Sequence, residues 1–501
     1  MSSSDTEVSS LTAATAARED NPERPLKRSR FLHCLSSGER VCVFHSLTQH
    51  KLFGGRLLRE LFDFFDRPRS RCEVETVFAD RASEGAFASA YSDLISKRML
   101  VADNDEDVTT YGRFLAHGVE QRPIQHMYFL PTSMCNLRCR YCFVEDDQKP
   151  LRTEQMTEET SRKVLEVFAK LTQQAERISL AVYGGEPLCN SRVVYSALRY
   201  VRELERSGAF VKPVELTMLT NGVLVDQTTV QVVRETNTSV SISWDGPDEL
   251  HDSVRLDVGG APTCARALHG YHLLQDAGLA PGISCTIHRH NVEHVVEIAR
   301  YIAEKLKPAG MGFNLLLPLI GSGNPLDVSH EQAVRQLIEA FKILREHGIY
   351  EDRMMRRLKP FVERGFYYKD CMGVGGQIVV TPGGGIGPCQ GFVGVERYFP
   401  LKVADLHARL AELDSADIYA HPLFNEWNHR LPLNMSACVD CFAISVCGGG
   451  CPYASFANHQ SIWQVDERIC FQAKGVFEWM LWETHDRMLE AMDSPEEVPP
   501  S

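Results

Sequence analysis

Thr132-Ser133-Met134-Cys135-Asn136-Leu137-Arg138-Cys139-Arg140-Tyr141-Cys142-Phe143 is the stretch from which the rest of the chain can be read. It follows a short apolar run, Met127–Pro131, that reads as a strand. Three thiolates this close in sequence can wrap one face of a four-iron cubane and leave one iron without a protein ligand. A structural zinc site would be closed by a fourth ligand, and this segment offers none. The loop therefore predicts an iron–sulfur site at a strand end, with one position open.

On both sides of the triad the pattern is one of alternation. Strand candidates are Met127–Pro131, Ile178–Tyr183, Val214–Leu219, Ser239–Trp244, Ile283–Ile287 and Gly312–Leu317. Between them lie stretches with apolar residues at helical spacing, such as Glu159–Leu171, Val193–Glu205, Ala265–Gln275 and Val292–Leu306. Strands that alternate with helices predict an α/β fold, a parallel sheet with helices on its outer face. Functional loops then gather at the strand C-terminal ends. Gly184-Gly185-Glu186-Pro187, Thr220-Asn221-Gly222 and Ser243-Trp244-Asp245-Gly246-Pro247 all stand at such ends, and Arg255 follows shortly after His251-Asp252. Each alone reads as a turn; together, at the ends of one sheet, they read as a site.

The Cys-x3-Cys-x2-Cys triad, with Tyr141 before its last cysteine, resembles the radical S-adenosylmethionine (SAM) superfamily. The resemblance implies a partial (β/α)6 barrel over residues 125–320. It makes Cys135, Cys139 and Cys142 the ligands of a [4Fe–4S] cluster whose open iron binds the amino and carboxylate groups of SAM. It places Tyr141 close to the adenine. Gly184, Gly185 and Glu186 would approach the ligand, the carboxylate meeting the SAM ammonium; Ser243 would bond the ribose and Arg255 the SAM carboxylate. Electron transfer would break a C–S bond and yield a 5′-deoxyadenosyl radical, the cofactor carrying the hard chemistry. A reducing partner such as a flavodoxin or ferredoxin is implied.

Seven more cysteines lie beyond Asp370. Cys371 is followed by Gly384-Gly385-Ile386-Gly387-Pro388-Cys389, then Cys438, Cys441, Cys447 and Cys451 at Cys-x2-Cys-x5-Cys-x3-Cys spacing, and last Cys470. This resembles the SPASM domain, expected here over 370–485. The resemblance gives Cys438, Cys441, Cys447 and Cys470 to one auxiliary [4Fe–4S] cluster and Cys371, Cys389 and Cys451 to another, whose fourth iron has no cysteine in Met372–Gln377. The remaining six, Cys34, Cys42, Cys72, Cys189, Cys264 and Cys285, sit singly and read as small buried hydrophobes.

The ends of the chain carry different signals. The 501 residues hold 16 cysteines and a net charge of −13. The acidic balance gives no general attraction to nucleic acid, and no apolar run reaches membrane-spanning length. Residues 1–30 lack the apolar core of a signal peptide and read as a disordered tail on a cytoplasmic protein, where closely spaced cysteines mean metal rather than disulfides. Val41–Ser46 reads as a strand, Leu52–Phe65, Val74–Ala79 and Phe87–Ile95 as helices, and Met99–Ala102 as a closing strand: a winged-helix-like module over 31–118. A helical bridge is expected over 321–369 and a tail over 486–501, with a helix at Phe471–Met492.

SPASM enzymes mostly modify peptides or proteins, so the resemblance implies a peptide-modifying oxidoreductase. The first reading is a maturase of ribosomally made precursor peptides that forms a C–S, C–C or C–O link, its N-terminal module holding a leader peptide. The alternatives are a protein-maturating dehydrogenase of the sulfatase-maturase type and a non-catalytic Fe–S electron carrier or scaffold. Against the second stands Gln390, which follows Cys389 where those enzymes have an aspartate base; glutamine cannot accept a proton at neutral pH. Asp370 and Asp440 are other candidate bases. The complete set of SAM motifs argues against the third.

Overall fold

The structure, a computed structural model, describes residues 24–81, 84–144 and 153–493, and leaves the side chains of 84–88 and 491–493 undescribed. Most of the expected N-terminal tail and the last eight residues lie outside the described residues.

The α/β region follows the alternation in the sequence. Six parallel strands run in chain order: β6 (His126–Phe129), β7 (Ile178–Val182), β8 (Val214–Thr220), β9 (Thr238–Ser243), β10 (Gly282–Ile287) and β11 (Gly310–Leu315). Helices α5 (Glu158–Leu171), α6 (Ser191–Arg206), α7 (Gln227–Glu235), α8 (Cys264–Asp276) and α9 (Val295–Tyr301) connect them. The expected helix at 292–306 is a run of 3₁₀, α and π turns around α9. Val214, Leu216 and Met218 of β8, and Ile283, Cys285 and Ile287 of β10, are buried among these helices. On the other face stand Ser241, Ser243, Ser284, Thr286 and Asn314, all partly exposed. A parallel sheet covered on both faces would show nearly continuous apolar strands; the alternation here marks one face left polar.

The sheet does not stop at the expected domain boundary. Past the helix α10 (His330–Glu346), β12 (Tyr350–Glu351) pairs parallel with β11, and α11 (Asp352–Val362) follows. Inside the cysteine-rich region, β13 (Gln377–Val380) pairs parallel with β6, and β14 (Gly385–Gly387) and β15 (Leu401–Lys402) continue the sheet antiparallel. Ten strands thus form one mixed sheet that carries both cysteine sets. The long helix α12 (Glu467–Asp493) holds Cys470 in its first turn. It runs through the start of the expected C-terminal tail and packs on α10 and α11.

The N-terminal region departs from expectation. Strands β2 (Leu32–Ser37), β3 (Arg40–His45) and β4 (Lys51–Gly54) form an antiparallel meander, with helices α1 (Arg56–Phe64), α2 (Arg71–Phe78) and α3 (Glu84–Ser96) after it. The winged-helix order of one strand, three helices and a strand is therefore corrected to three strands followed by three helices. β2 was not foreseen; Gly38, at φ +60°, makes the two-residue turn that folds it onto β3. The expected helix at 52–65 begins only at Arg56, because Lys51–Phe53 pair with β3 and Gly54-Gly55 interrupt helical spacing. The short strand Leu100–Val101 (β5) pairs not with the meander but with β1 (Lys27–Arg28), so the tail expected to reach residue 30 ends earlier. Helix α4 (Asn104–Val119) leads into the sheet.

Candidate active site

The cysteine triad sits in the loop after β6. Leu137 N–H donates to Cys135 Sγ at 3.4 Å, and Arg255 Nη1 lies 3.9 Å from Cys139 Sγ. Burial pushes the Cys135 thiol well up, and Glu186, Cys139 and Cys142 add to it; metal loading must therefore displace protons. Among the described residues no three His, Cys, Asp or Glu side chains are placed to hold a single metal ion. In a cubane each thiolate binds its own iron, so the sulfurs need not converge on one point. The donor set, three thiols with no fourth ligand among the described residues, fits such a cluster.

The strand-end motifs expected to touch SAM converge on this loop. Gly185 N–H donates to Thr132 O at 3.2 Å and Glu186 N–H to Met134 O at 2.8 Å. A Cβ on Gly185 would stand 2.2 Å from Met134 O, and one on Gly184, at φ +145°, 2.6 Å from Thr132 O. The glycines thus admit the triad loop itself against the end of β7. Glu186 is buried and accepts from Leu188 N–H (3.1 Å), Thr220 Oγ1 (2.7 Å) and Asn221 N–H (2.8 Å). Burial lifts its carboxyl above the usual range, and these donors partly offset the lift. A carboxylate has about four lone-pair sites, so one remains for a ligand ammonium.

Tyr141 and Arg255 meet on a residue to which the sequence assigned no role. Asp245 Oδ2 accepts from Tyr141 Oη at 2.5 Å and from Arg255 Nε at 2.7 Å, while Oδ1 accepts from Thr286 N–H at 2.8 Å. Burial would raise the Asp245 carboxyl; Arg255, His288 and His251 outweigh it and hold it below the usual range. The Arg255 guanidinium lies over the Tyr141 ring, 5.4 Å from its centre, and His288 stacks on that ring at 5.7 Å. In the sequence Asp245 stands in the Ser243–Pro247 turn motif, with the triplet Asp-Gly-Pro as its only signal; His288 has none beyond a strand end. Ser243 ends β9 beside Ser284, its hydroxyl without a hydrogen-bond partner among the described residues.

The C-terminal cysteines fall into two groups. Cys438, Cys441, Cys447 and Cys470 line one cavity, with Asp466 and Lys474 at its wall. Burial raises the Cys438 thiol to about 11 and the Cys447 thiol to about 12. Cys371 and Cys389 each accept a hydrogen bond at 3.3 Å, from Gly373 N–H and Gly391 N–H, and Cys451 lies within electrostatic reach of Cys371. Tyr128, on β6, feels Cys371 and Cys389; Tyr183, after β7, feels Cys142 and Cys135. Their rings meet edge to face at 5.8 Å. Both cysteine sites therefore border the polar face of one sheet. A pocket beside the triad loop is lined by Thr132, Tyr183, Gly184, Gly185 and Gln390, whose Oε1 is buried without a partner among the described residues. Of the lone cysteines, Cys42, Cys264 and Cys285 are buried and Cys72 is exposed.

Residues 129–302, the stretch that runs from β6 to α9 and holds the triad loop, match the sequence model of the Radical SAM superfamily, a family that implies a [4Fe–4S] cluster and SAM. Among curated relatives, the radical SAM cyclopropyl synthase TigE of Paramaledivibacter caminithermalis is 23% identical over 69% of this chain and 72% of its own length. Matches to anaerobic sulfatase-maturating enzymes of Bacteroides thetaiotaomicron and Clostridium perfringens span about half of those enzymes. In fold, the chain is similar to native anSMEcpe with bound AdoMet and Cp18Cys peptide, at TM-score 0.59 and 19% identity over 72% of this chain and 98% of that one. It is also similar to Streptococcus suis SuiB bound to precursor peptide SuiA, at TM-score 0.53 and 13% identity over 89% of this chain and 99% of that one. No helix among the described residues is long and apolar enough to cross a membrane.

Proposed function

We propose that this protein oxidatively modifies a ribosomally made precursor peptide, with Cys135, Cys139 and Cys142 holding the SAM-binding cluster and a SPASM-type region, 370–485, holding two auxiliary clusters. The observation that carries the reading is the pair of cysteine sites on one polar sheet face, joined by the Tyr183–Tyr128 contact. When bound, the SAM cluster supplies a 5′-deoxyadenosyl radical and the auxiliary clusters an electron acceptor, together the means of a net two-electron oxidation. The chain's own residues do the positioning. Glu186 offers its free lone pair to the SAM ammonium, Arg255 its unused donors to the SAM carboxylate, and Ser243 its hydroxyl to the ribose. Tyr141, fixed by Asp245, closes the adenine side.

The two solved structures of similar fold that hold a bound peptide support a peptide substrate, and the N-terminal meander supports a leader site. An antiparallel sheet whose edges, β2 and β4, have no further strand among the described residues can accept a peptide as one. A sulfatase-maturase reaction is disfavoured by Gln390, which borders the pocket where a base would be needed and cannot take a proton.

The test uses full-length reconstituted enzyme, SAM, a one-electron donor such as flavodoxin or ferredoxin, and short peptides encoded beside this gene. The expected product is a peptide lighter by about 2 Da, the loss for one cross-link, formed together with 5′-deoxyadenosine. The enzyme is expected to bind the full precursor near micromolar affinity, about −8 kcal/mol, and the leader-free core more weakly. The reading fails if such precursors stay unmodified while a sulfatase-derived peptide is converted. The Cys135→Ala, Cys139→Ala, Cys142→Ala triple variant should form no 5′-deoxyadenosine.

A further inference from the structure

Among the described residues three buried arginines, one on α11 and two in the cysteine-rich region, lie near the C-terminal cysteines, and two of them have an obvious partner. Arg357 Nη2 pairs with Asp370 Oδ1 at 2.6 Å. Arg468 grips Asp466 through Nε at 3.0 Å and Nη2 at 2.9 Å. Arg430 is 0% exposed, yet it forms no ion pair with any carboxylate among the described residues. All five of its N–H donors go to uncharged oxygens. Nε donates to Ile462 O; Nη1 to Gly449 O (3.0 Å) and Gly450 O (3.2 Å); Nη2 to Ser455 Oγ (3.0 Å) and Gln464 O (3.4 Å). Asp466, a carboxylate that acts on Arg430 through space, spends its hydrogen bonds on Arg468 and on Cys451 N–H.

A guanidinium can satisfy its hydrogen bonds with carbonyls, but carbonyls do not cancel its charge. An uncompensated buried charge costs several kcal/mol. Burial accordingly pushes the Arg430 pKa below its ordinary value, while Cys451, Asp466, Cys438 and Cys447 act in the opposite sense. Arg430 in turn acts on Cys371. Its neighbours therefore come from both C-terminal cysteine groups. The geometry says why: Gly449 and Gly450 lie in the three-residue link from Cys447 of one group to Cys451 of the other. Gly448, Gly449 and Gly450 all have positive φ. A Cβ on Gly448 would stand 2.4 Å from Asp370 N, and one on Gly450 2.9 Å from Asp466 Cβ. The link is thus pressed close, and Arg430 holds it by two adjacent carbonyls.

We infer that Arg430 is the shared counter-cation of the two auxiliary clusters, balancing the negative charge of both thiolate sets from the link between them and raising both reduction potentials together. This rests on the reading of Cys371, Cys389, Cys438, Cys441, Cys447, Cys451 and Cys470 as cluster ligands. A nearby positive charge favours the reduced, more negative state of a cluster, and net charge is one of the levers that set cluster potentials.

The test is an anaerobic redox titration of the reconstituted holoenzyme, read by EPR with iron content as a check, on wild type, Arg430→Gln and Arg430→Lys. Arg430→Gln is expected to shift both auxiliary midpoints negative by at least tenfold in the redox equilibrium, about 59 mV for a one-electron couple. The midpoint of the cluster at Cys135, Cys139 and Cys142 is expected to stay put. Arg430→Lys, which keeps the charge, should leave both auxiliary midpoints within threefold of wild type. If the Gln variant loses an auxiliary signal that the Lys variant keeps, the charge requirement stands. Loss in both variants assigns Arg430 to clamping alone and overturns the inference. So does a fully loaded Gln variant in which neither auxiliary midpoint moves, or only one. Failure of the underlying ligand reading would look different: wild type itself would hold only about four irons per chain, those of a single cubane.

Discussion

Asp245 shows how one side chain can organise a cofactor site although its motif gives it no role of its own. It receives Tyr141 Oη and Arg255 Nε on the same oxygen, and so fixes the aromatic ring and the cation that flank the triad. Asp245→Asn removes the one anion paired with the buried Arg255 among the described residues. Breaking a buried pair on one side costs about 3–5 kcal/mol, so the variant is expected to unfold at a clearly lower denaturant midpoint and to bind SAM more weakly in equilibrium titration. Gly185→Ala should act differently. Its methyl group would meet the Met134 and Ser133 carbonyls at 2.2 and 2.6 Å. Backbone cannot step aside cheaply, so the triad loop is displaced. The expected result is loss of about four irons per chain, one cubane's worth, with 5′-deoxyadenosine formation lost as well. Unchanged iron in that variant would show that the loop tolerates the shift. At this scale the cysteines stand out by type and spacing, while Tyr141, Glu186 and Arg255 are pointed to only by the family resemblance; the fold brings all of them to the triad loop. Asp245 and His288 were not legible, because their roles come from strands that only the sheet brings side by side.

At the scale of elements, periodicity was the readable signal and turns the unreadable one. The six strands β6 to β11 were visible because each alternates between a helix-covered and a polar face. The hairpin of β2 and β3 depended on a single glycine turn, and β13 on pairing with a strand some 250 residues earlier in the chain, which no local pattern encodes. The corner between β12 and α11 gives a prediction of its own. Glu351 is fully buried; its oxygens accept from Phe313 N–H (2.8 Å) and Met354 N–H (2.6 Å), tying β11 to the first turn of α11. Burial raises its carboxyl to about 7 from an ordinary 4.5. The folded state thus holds a proton that the unfolded state releases above about pH 4.5, so stability falls as pH rises from there to about 7 and levels off beyond. The shift corresponds to roughly 3 kcal/mol. Glu351→Gln cannot ionise. Its stability deficit relative to wild type, measured by chemical unfolding at pH 5 and pH 8, is expected to shrink by about that amount. A deficit that stays constant across this range would mean that Glu351 titrates near its ordinary value.

Across the whole molecule, the N-terminal region is built into the body of the enzyme rather than hung from it. Cys42 and Phe44 of β3 belong to the main core, and the Phe44 ring lies 4.9 Å from Phe477 of α12, which also meets Phe361 and Phe442. Phe53 reaches Trp482 and His485 on the same helix. Arg30 pairs with Asp440, between Cys438 and Cys441, and Arg40 with Asp486. Removing the region wholesale would strip the cover from α12, so its deletion cannot separate docking of a leader from folding of the catalytic body. A single substitution can. Phe44→Ala removes a fully buried ring, a change worth about 3–5 kcal/mol, from the surface on which α12 rests. Because α12 carries Cys470, the strain should fall on the C-terminal cysteine sites and spare the triad, which sits in the loop after β6. The expected outcome is a lowered unfolding midpoint with auxiliary iron partly lost, while the EPR signal of the SAM-binding cluster and uncoupled 5′-deoxyadenosine formation persist. Equal loss of all cluster signals would instead mean that the core around Phe44 unfolds as one unit with the sheet. Wild-type iron and an unchanged midpoint would mean that the N-terminal region rests on the enzyme without supporting it.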